Sequence, residues 1–231
     1  MTLLRTLEEK VAPDRAVLVT VDVQNDFCHE RGFLGSLGVP MGLIQAMVPR
    51  LCGLLDAART RGVPIIHVIS HHDEAYASPV VTEQKLRHGL PMELDGRTLR
   101  DAPYCLTGTW GAALYGIDAR AGEEIVVKHR YSAFRGTNLD VVLRSRGIQT
   151  VILTGVATNA CVESTGRDVY MHDYYLVFVG DATATTSQAA HDATLANIDQ
   201  FFGQVATCDA IAGAWGLPAV APVLAGAARA R

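Results

Sequence analysis

The sequence has few cysteines, and none stands in a C-x-x-C pair. Positions 28, 52, 105, 161 and 208 are an odd number, widely spread. That argues against a disulfide framework, a zinc ribbon and a thioredoxin-type redox site together, and points to a reducing cytoplasm. An excess of one charge is also missing. Lys and Arg total 20 against 24 Asp and Glu, so the formal charge of −4 gives no electrostatic case for nucleic acid or an anionic membrane surface. No apolar run has the length that spans a bilayer. The opening MTLLRTLEEKVAPDR alternates apolar and charged residues and lacks the h-region of a secretory signal. No G-x-G-x-x-G follows the first apolar run and no Walker-type loop occurs, which argues against a nucleotide-binding domain. Internal repeats, low-complexity tracts and interdomain linkers are absent too.

What is present is ordinary globular composition, 49% hydrophobic and 19% charged, and residues 1–231 are read as a single domain. Short apolar runs alternate with helical patterns. Strands are expected at 16–23 (AVLVTVDV), 64–69 (PIIHVI), 124–128 (EIVVK), 150–154 (TVILT), 175–179 (YLVFV) and, more weakly, 204–207. Several are continuous β-branched runs, the pattern of strands covered on both faces. Between them, Pro49 suits a first helical position, Leu51, Leu54, Leu55 and Ala58 form a stripe, and Gly62 ends it. Thr137-Asn138-Leu139-Asp140 resembles a capping box that opens a short helix ending at Gly147, and Ser187 caps a stripe of Ala190, Thr194, Ile198 and Phe201. This alternation predicts a three-layer α/β/α fold around a mostly parallel six-stranded sheet. Residues 71–123 are polar and proline-marked, the character of a lid, a binding loop or an oligomer contact.

Ligands of open parallel sheets bind beyond the carboxyl ends of the strands. Three chemically useful residues are expected there: Asp22 closing the first strand, Lys128 closing the third, and Cys161 in the turn TGVATNACVEST after the fourth. Each has an ordinary structural role when taken singly, as a solvated strand end, a surface charge and a small buried hydrophobe. Together they form a working set. A thiol is a nucleophile as thiolate, with a pKa of about 8.5 when unperturbed. The start of a helix over 161–173 and a nearby Lys128 would both favour the anion. Val162, Thr165 and Val169 would face the sheet and turn Cys161 to the cleft. Asp22 is placed to accept the thiol proton and return it to a leaving amine. The set suits acyl transfer from an amide through a thioester.

The stretches VDVQNDF, KHRYSAFRGTNLD, TGVATNACVESTGRD and VFVGDATA resemble, in that order, the isochorismatase-like cysteine hydrolase family. The resemblance runs from about residue 16 to residue 202 and is weakest in the loop 71–100. It implies that Asp22, Lys128 and Cys161 are the catalytic triad. It also implies a cis peptide between Val156 and Ala157, and an oxyanion hole of the Ala157 and Cys161 backbone N–H groups. Members that hydrolyse the vinyl ether of isochorismate generally lack the cysteine, so Cys161 argues against that reaction. The nearest pattern is that of carbamoyl and ureido amidohydrolases acting on ureidoacrylate, N-carbamoylsarcosine or biuret. The ureidoacrylate group carries Asn-Gly-Trp before Asp-Glu, whereas this chain has Ser70-His71-His72 before Asp73-Glu74.

Asn25, Phe27, Tyr131, Phe134, His72 and Trp110 are the candidate pocket residues, each with a rival role in packing, a turn or an oligomer contact. His67, His71, His72 and Asp73 lack the D-x-H…H spacing of the metal-binding nicotinamidases, so no metal and no cofactor are expected. The leading expectation is a cysteine amidohydrolase that releases ammonia from a small amide or ureido compound. A nicotinamidase-like metal-dependent amidase and a non-catalytic α/β ligand-binding domain are the alternatives. The partners implied are a small-molecule substrate and, by resemblance, further copies of the chain in a dimer or tetramer.

Overall fold

The structure is a computed structural model and describes residues 3–94, 97–98 and 102–222. In chain order the strands are β1 (Ala16–Val21), β2 (Ile65–Ser70), β3 (Glu93–Leu94), β4 (Arg97–Thr98), β5 (Glu124–Lys128), β6 (Thr150–Val156), β7 (Tyr175–Ala184) and β8 (Gln204–Ala206). The helices are α1 (Leu7–Lys10), α2 (Asn25–Cys28), α3 (Phe33–Ser36), α4 (Gly42–Arg61), α5 (Pro79–Arg87), α6 (Leu139–Ser145), α7 (Glu163–Met171), α8 (Gln188–Phe201) and α9 (Cys208–Ala214).

One six-stranded sheet carries the order β5-β2-β1-β6-β7-β8, and every pairing within it is parallel. Successive side chains of a strand point to opposite faces, so each apolar run feeds two cores. Leu18, Ile65, Ile152 and Val177 pack with Leu51, Leu54 and Leu55 of α4 and Ile211 of α9. Val17, Val19, Ile66, Val151 and Leu153 pack on the other face with Leu139 and Leu143 of α6, Val169 of α7 and Ile198 of α8. Layers of helix, sheet and helix result, as the α/β alternation implies. The order reverses at β1: β2 and β5 lie on one side of it, β6, β7 and β8 on the other. That switch point opens a crevice at the carboxyl ends of β1 and β6.

Several local expectations are corrected. Pro49 lies inside α4 instead of at its start, because Ile44, Met47 and Val48 extend the buried face ahead of it. Asn138 precedes α6 but its side chain makes no cap; Thr137 Oγ1 accepts from Leu139 N–H instead, and Asp140 turns to Arg144 and the Tyr174 hydroxyl. Ser187 does cap α8, accepting from Ala190 N–H at 3.3 Å, and Thr194 and Ile198 are buried, but Phe201 is exposed. β7 runs past Val179 to Ala184 because, after a register shift, Thr183 and Ala184 pair with Gly155 and Val156 of β6. The edge strand β5 is not covered on both faces: Ile125 and Val127 are exposed. Within 71–123, Asp73 caps a short 3-10 turn (Glu74–Tyr76), α5 follows, and Gln24 and His72 pair as isolated bridges with Leu114 and Leu106. The described parts of this segment fold over the carboxyl edge of the sheet.

Candidate active site

The carboxyl ends of β1, β2, β5 and β6 bring Asp22, Ser70, Lys128 and Cys161 together. Asp22 follows β1 in a left-handed conformation, φ 53°, which breaks the strand and turns its carboxylate into the crevice. Its N–H still donates to the Val68 carbonyl at 2.9 Å, and Gln24 N–H donates to the Asp22 carbonyl at 2.8 Å. Ser70 and Lys128 are register partners at the ends of β2 and β5.

Lys128 Nζ lies 2.7 Å from Asp22 Oδ2, and it donates to Ser70 Oγ at 2.8 Å, the Arg130 carbonyl at 3.1 Å and Cys161 Sγ at 3.4 Å. Ser70 Oγ donates to the other Asp22 oxygen, Oδ1, at 2.9 Å. Lys128 and Asp22 are each about 1% exposed, so both charges are taken almost wholly out of water. Such a pair persists only when it is closely matched and further hydrogen-bonded, as it is here. Asp22 Oδ2 meets Lys128 as an ion pair without a hydrogen bond of ordinary geometry.

The peptide bond Val156–Ala157 is cis. Just before it, Gly155 has φ 114°, and a Cβ there would stand 2.1 Å from the Val21 carbonyl oxygen, so only glycine allows β6 to pass β1 this closely. Cys161 then falls within a π-helical turn, Thr158–Val162, and not at the first position of an α-helix; α7 begins at Glu163. Val162, Thr165 and Val169 are fully buried against the sheet, as the sequence pattern requires. Thr165 Oγ1 donates to the Cys161 carbonyl at 2.7 Å and accepts from Ala133 N–H at 3.0 Å, which ties the thiol's turn to the segment after Lys128.

The electrostatics correct one expectation. Burial first, and the Asp22 charge second, push the Cys161 thiol up to about 12 against the opposing pull of Lys128. That shift disfavours a standing thiolate at Cys161. Burial pulls the Lys128 ammonium down, but Asp22 and Cys161 outweigh it and the net shift is upward.

These residues line a cavity of about 540 Å³, enough for a small molecule. Ala157, Phe27, Tyr131 and His72 also line it. Three candidates do not. Asn25 is buried and donates from Nδ2 to the Trp110 carbonyl at 2.7 Å, a tie between two wall segments. Phe134 is core, stacked on His172 at 4.5 Å. Trp110 is half-exposed on the surface, edge-on to His29 at 5.2 Å and under Arg31. The histidines diverge. His67 is fully buried between Thr20 and Glu123, while His129 donates from Nδ1 to the His71 carbonyl and stacks on Tyr76. Among the described residues no three His, Cys, Asp or Glu side chains group as a metal would need.

Gln24 and Tyr104 are not among the candidate residues of the sequence, and Ser70 enters there only as a departure from the ureidoacrylate pattern, not as a partner of Asp22 and Lys128. Gln24 donates from Nε2 to the Ser70 and Ala112 carbonyls and accepts from Ser70 N–H at 2.8 Å, clamping β2 to β1's exit. Tyr104 fills the wall between Phe27 and His72, with ring centroids at 5.2 and 4.9 Å. The only sequence signal for Gln24 was its place inside VDVQNDF.

The isochorismatase domain matches residues 16–210, a span that contains every residue of this site. The chain belongs to the isochorismatase family. Ureidoacrylate amidohydrolase RutB of Methylobacterium radiotolerans is 35% identical over 228 residues, covering 93% of this chain and 85% of that relative. Among solved structures, a cysteine hydrolase of Pseudomonas syringae pv. phaseolicola superposes with a TM-score of 0.73 at 25% identity, over 94% of this chain and 98% of the other. N-carbamoylsarcosine amidase of Thermoplasma acidophilum gives 0.64 at 27% identity, over 84% and 97%. The chain is thus an isochorismatase-family hydrolase, with relatives named as amidohydrolases of ureido and carbamoyl compounds. Among the described residues no helix is long and apolar enough to cross a membrane.

Proposed function

We propose that this hydrolase is a cysteine amidohydrolase that cleaves a small ureido, carbamoyl or primary amide compound and releases ammonia. The observation that carries the reading is the contact of Cys161 Sγ, Lys128 Nζ and Asp22 on the wall of one cavity. Asp22 takes the thiol proton as Sγ attacks the substrate carbonyl. Lys128 holds Asp22 in place and offsets the negative charge that moves between carboxylate and sulfur. The backbone N–H groups of Ala157 and Cys161 receive the oxyanion. Collapse breaks the C–N bond, and the proton on Asp22 passes to the leaving nitrogen as ammonia. Water then attacks the thioester, gives a proton to Asp22, and frees the acid and the thiol. Phe27, Tyr131 and His72 hold the rest of the substrate. By resemblance, Ser70 and His72 stand where ureidoacrylate enzymes carry Asn and Trp, so the choice among ureido, carbamoyl and amide substrates is left to the assay below.

The five cysteines are free, which fits a reducing cytoplasm. Exposed Ile125 and Val127 on the edge strand fit self-association as a dimer or tetramer.

The test is ammonia release from ureidoacrylate, biuret, N-carbamoyl amino acids, nicotinamide and simple amides, with and without a chelator. Turnover of one compound class by the native protein is expected, unchanged by chelation and lowered at least ~10³-fold by Cys161→Ala. Equal rates in the alanine variant would remove the proposed nucleophile, and loss of activity on chelation would favour the nicotinamidase-like alternative.

A further inference from the structure

We infer that Lys85 binds a carboxylate on the substrate, so that the enzyme selects amides or ureides with a second, anionic end. This deepens the amidohydrolase reading and rests on it. Lys85 lies on α5 and is only 6% exposed, yet it lines the same cavity as Cys161. Its ammonium is 5.1 Å from the centre of the Tyr104 ring and 5.4 Å from that of Tyr131, and it donates to the Tyr131 hydroxyl at 3.3 Å. Among the described residues no carboxylate meets it. Two aromatic faces and one neutral oxygen offset part of the cost of burying an ammonium, but they leave donor capacity and positive charge unspent.

The described surroundings do not supply the anion. Asp22 is the one acid among the described residues that line the cavity, and Lys128 already holds it. A third cation on the wall, Arg130, donates to the carbonyls of Tyr76 and His129 and meets no acid among the described residues. Cationic wall and scarce acid together fit an anionic ligand. Tyr131 adds direction. Its oxygen accepts from Lys85, so its own O–H proton is free to donate to the same carboxylate. The scissile amide then sits at Cys161 and the acid group at Lys85 and Tyr131, with Val80 and Val81 of α5 against the chain between.

The test uses the Cys161→Ala protein, in which ligands bind without turnover, and calorimetry with 3-ureidopropionate and its methyl ester. With Lys85 present the acid is expected to bind at least tenfold more tightly than the ester. Lys85→Met should abolish that preference while leaving the ester's affinity unchanged, and Lys85→Arg should restore most of it. Lys85→Gln serves in place of the methionine variant if circular dichroism shows the latter unfolded. Equal affinity for acid and ester in the Lys85 protein, or a preference that survives Lys85→Met, would overturn the inference. Turnover by the native enzyme of neutral amides as fast as of acids would also overturn it, while leaving the cysteine amidohydrolase intact. Absence of both binding and turnover across all ureides and amides would remove that broader reading, and the inference with it.

Discussion

The Asp22 carboxylate and the Cys161 thiol show why the same three residue types mean different things in sequence and in space. A cysteine next to a lysine reads as a ready thiolate. Enclosure reverses this, because burial and the Asp22 charge hold the proton on sulfur up to about 12. In the proposed mechanism the ionised state is reached as Asp22 takes the proton during attack. Asp22→Asn removes the charge that raises the thiol and leaves the Lys128 charge that lowers it. The variant is therefore expected to react faster with iodoacetamide at pH 8 than the native protein, while amide turnover falls at least ~10²-fold. Parallel alkylation and ammonia assays on the two proteins check both signs; slower alkylation in the variant would contradict the electrostatic account.

At the scale of elements, the sheet depends on a buried polar link that the apolar pattern conceals. Glu123, just ahead of β5, accepts from Arg59 of α4 at 2.8 and 3.1 Å and from Arg120 N–H at 2.8 Å, and pairs with His67 of β2 at 3.0 Å. His67 reaches on to Thr20 of β1 at 2.9 Å. Burial by itself would raise the Glu123 carboxyl, but Arg59, the Arg120 N–H and His67 outweigh it and bring it down to about 2. A depressed acid contributes stability that is full above its unfolded pKa, near 4.5, and is lost as pH falls through the folded value. Glu123→Gln should lower the melting temperature by roughly 4–10 °C at pH 7. The gap should narrow between about pH 4.5 and pH 2, where the native side chain itself becomes neutral. Melting curves of both proteins across that range test it, and a gap independent of pH would show that the link is not electrostatic. Nothing in PIIHVI shows that the His67 ring meets an acid 56 positions away.

For the molecule as a whole, the exposed apolar pair on β5 is the main departure from a sheet sealed by its own helices. Ile125 is 47% and Val127 37% exposed, on a strand with one free edge. Such edges are normally charged, shortened or covered. Sedimentation equilibrium is expected to give two or four times the chain mass of 24.8 kDa, and Ile125→Glu with Val127→Lys to shift it towards the monomer. A native protein that sediments as a monomer would mean the edge stays bare.

The order of strands and helices, the parallel sheet and the positions of Asp22, Lys128 and Cys161 were fixed by local signals. Apolar runs of strand length, glycine and serine at element ends, and functional residues at strand exits need no knowledge of distant neighbours. The errors lie where neighbours decide. Pro49 lies inside α4 because the buried face of that helix begins ahead of it, and β7 extends beyond Val179 because its end pairs with Gly155 and Val156 of β6. Phe27 and Tyr131 line the cavity while Phe134 and Asn25 do not, a distinction that depends on how the described parts of the 71–123 segment fold over the sheet edge. The protonation of Cys161, the support from Ser70 and Gln24, and the ammonium of Lys85 among aromatic rings likewise belong to the tertiary structure. Desolvation and hydrogen-bond partners are properties of an enclosed volume, and no stretch of sequence encloses one by itself.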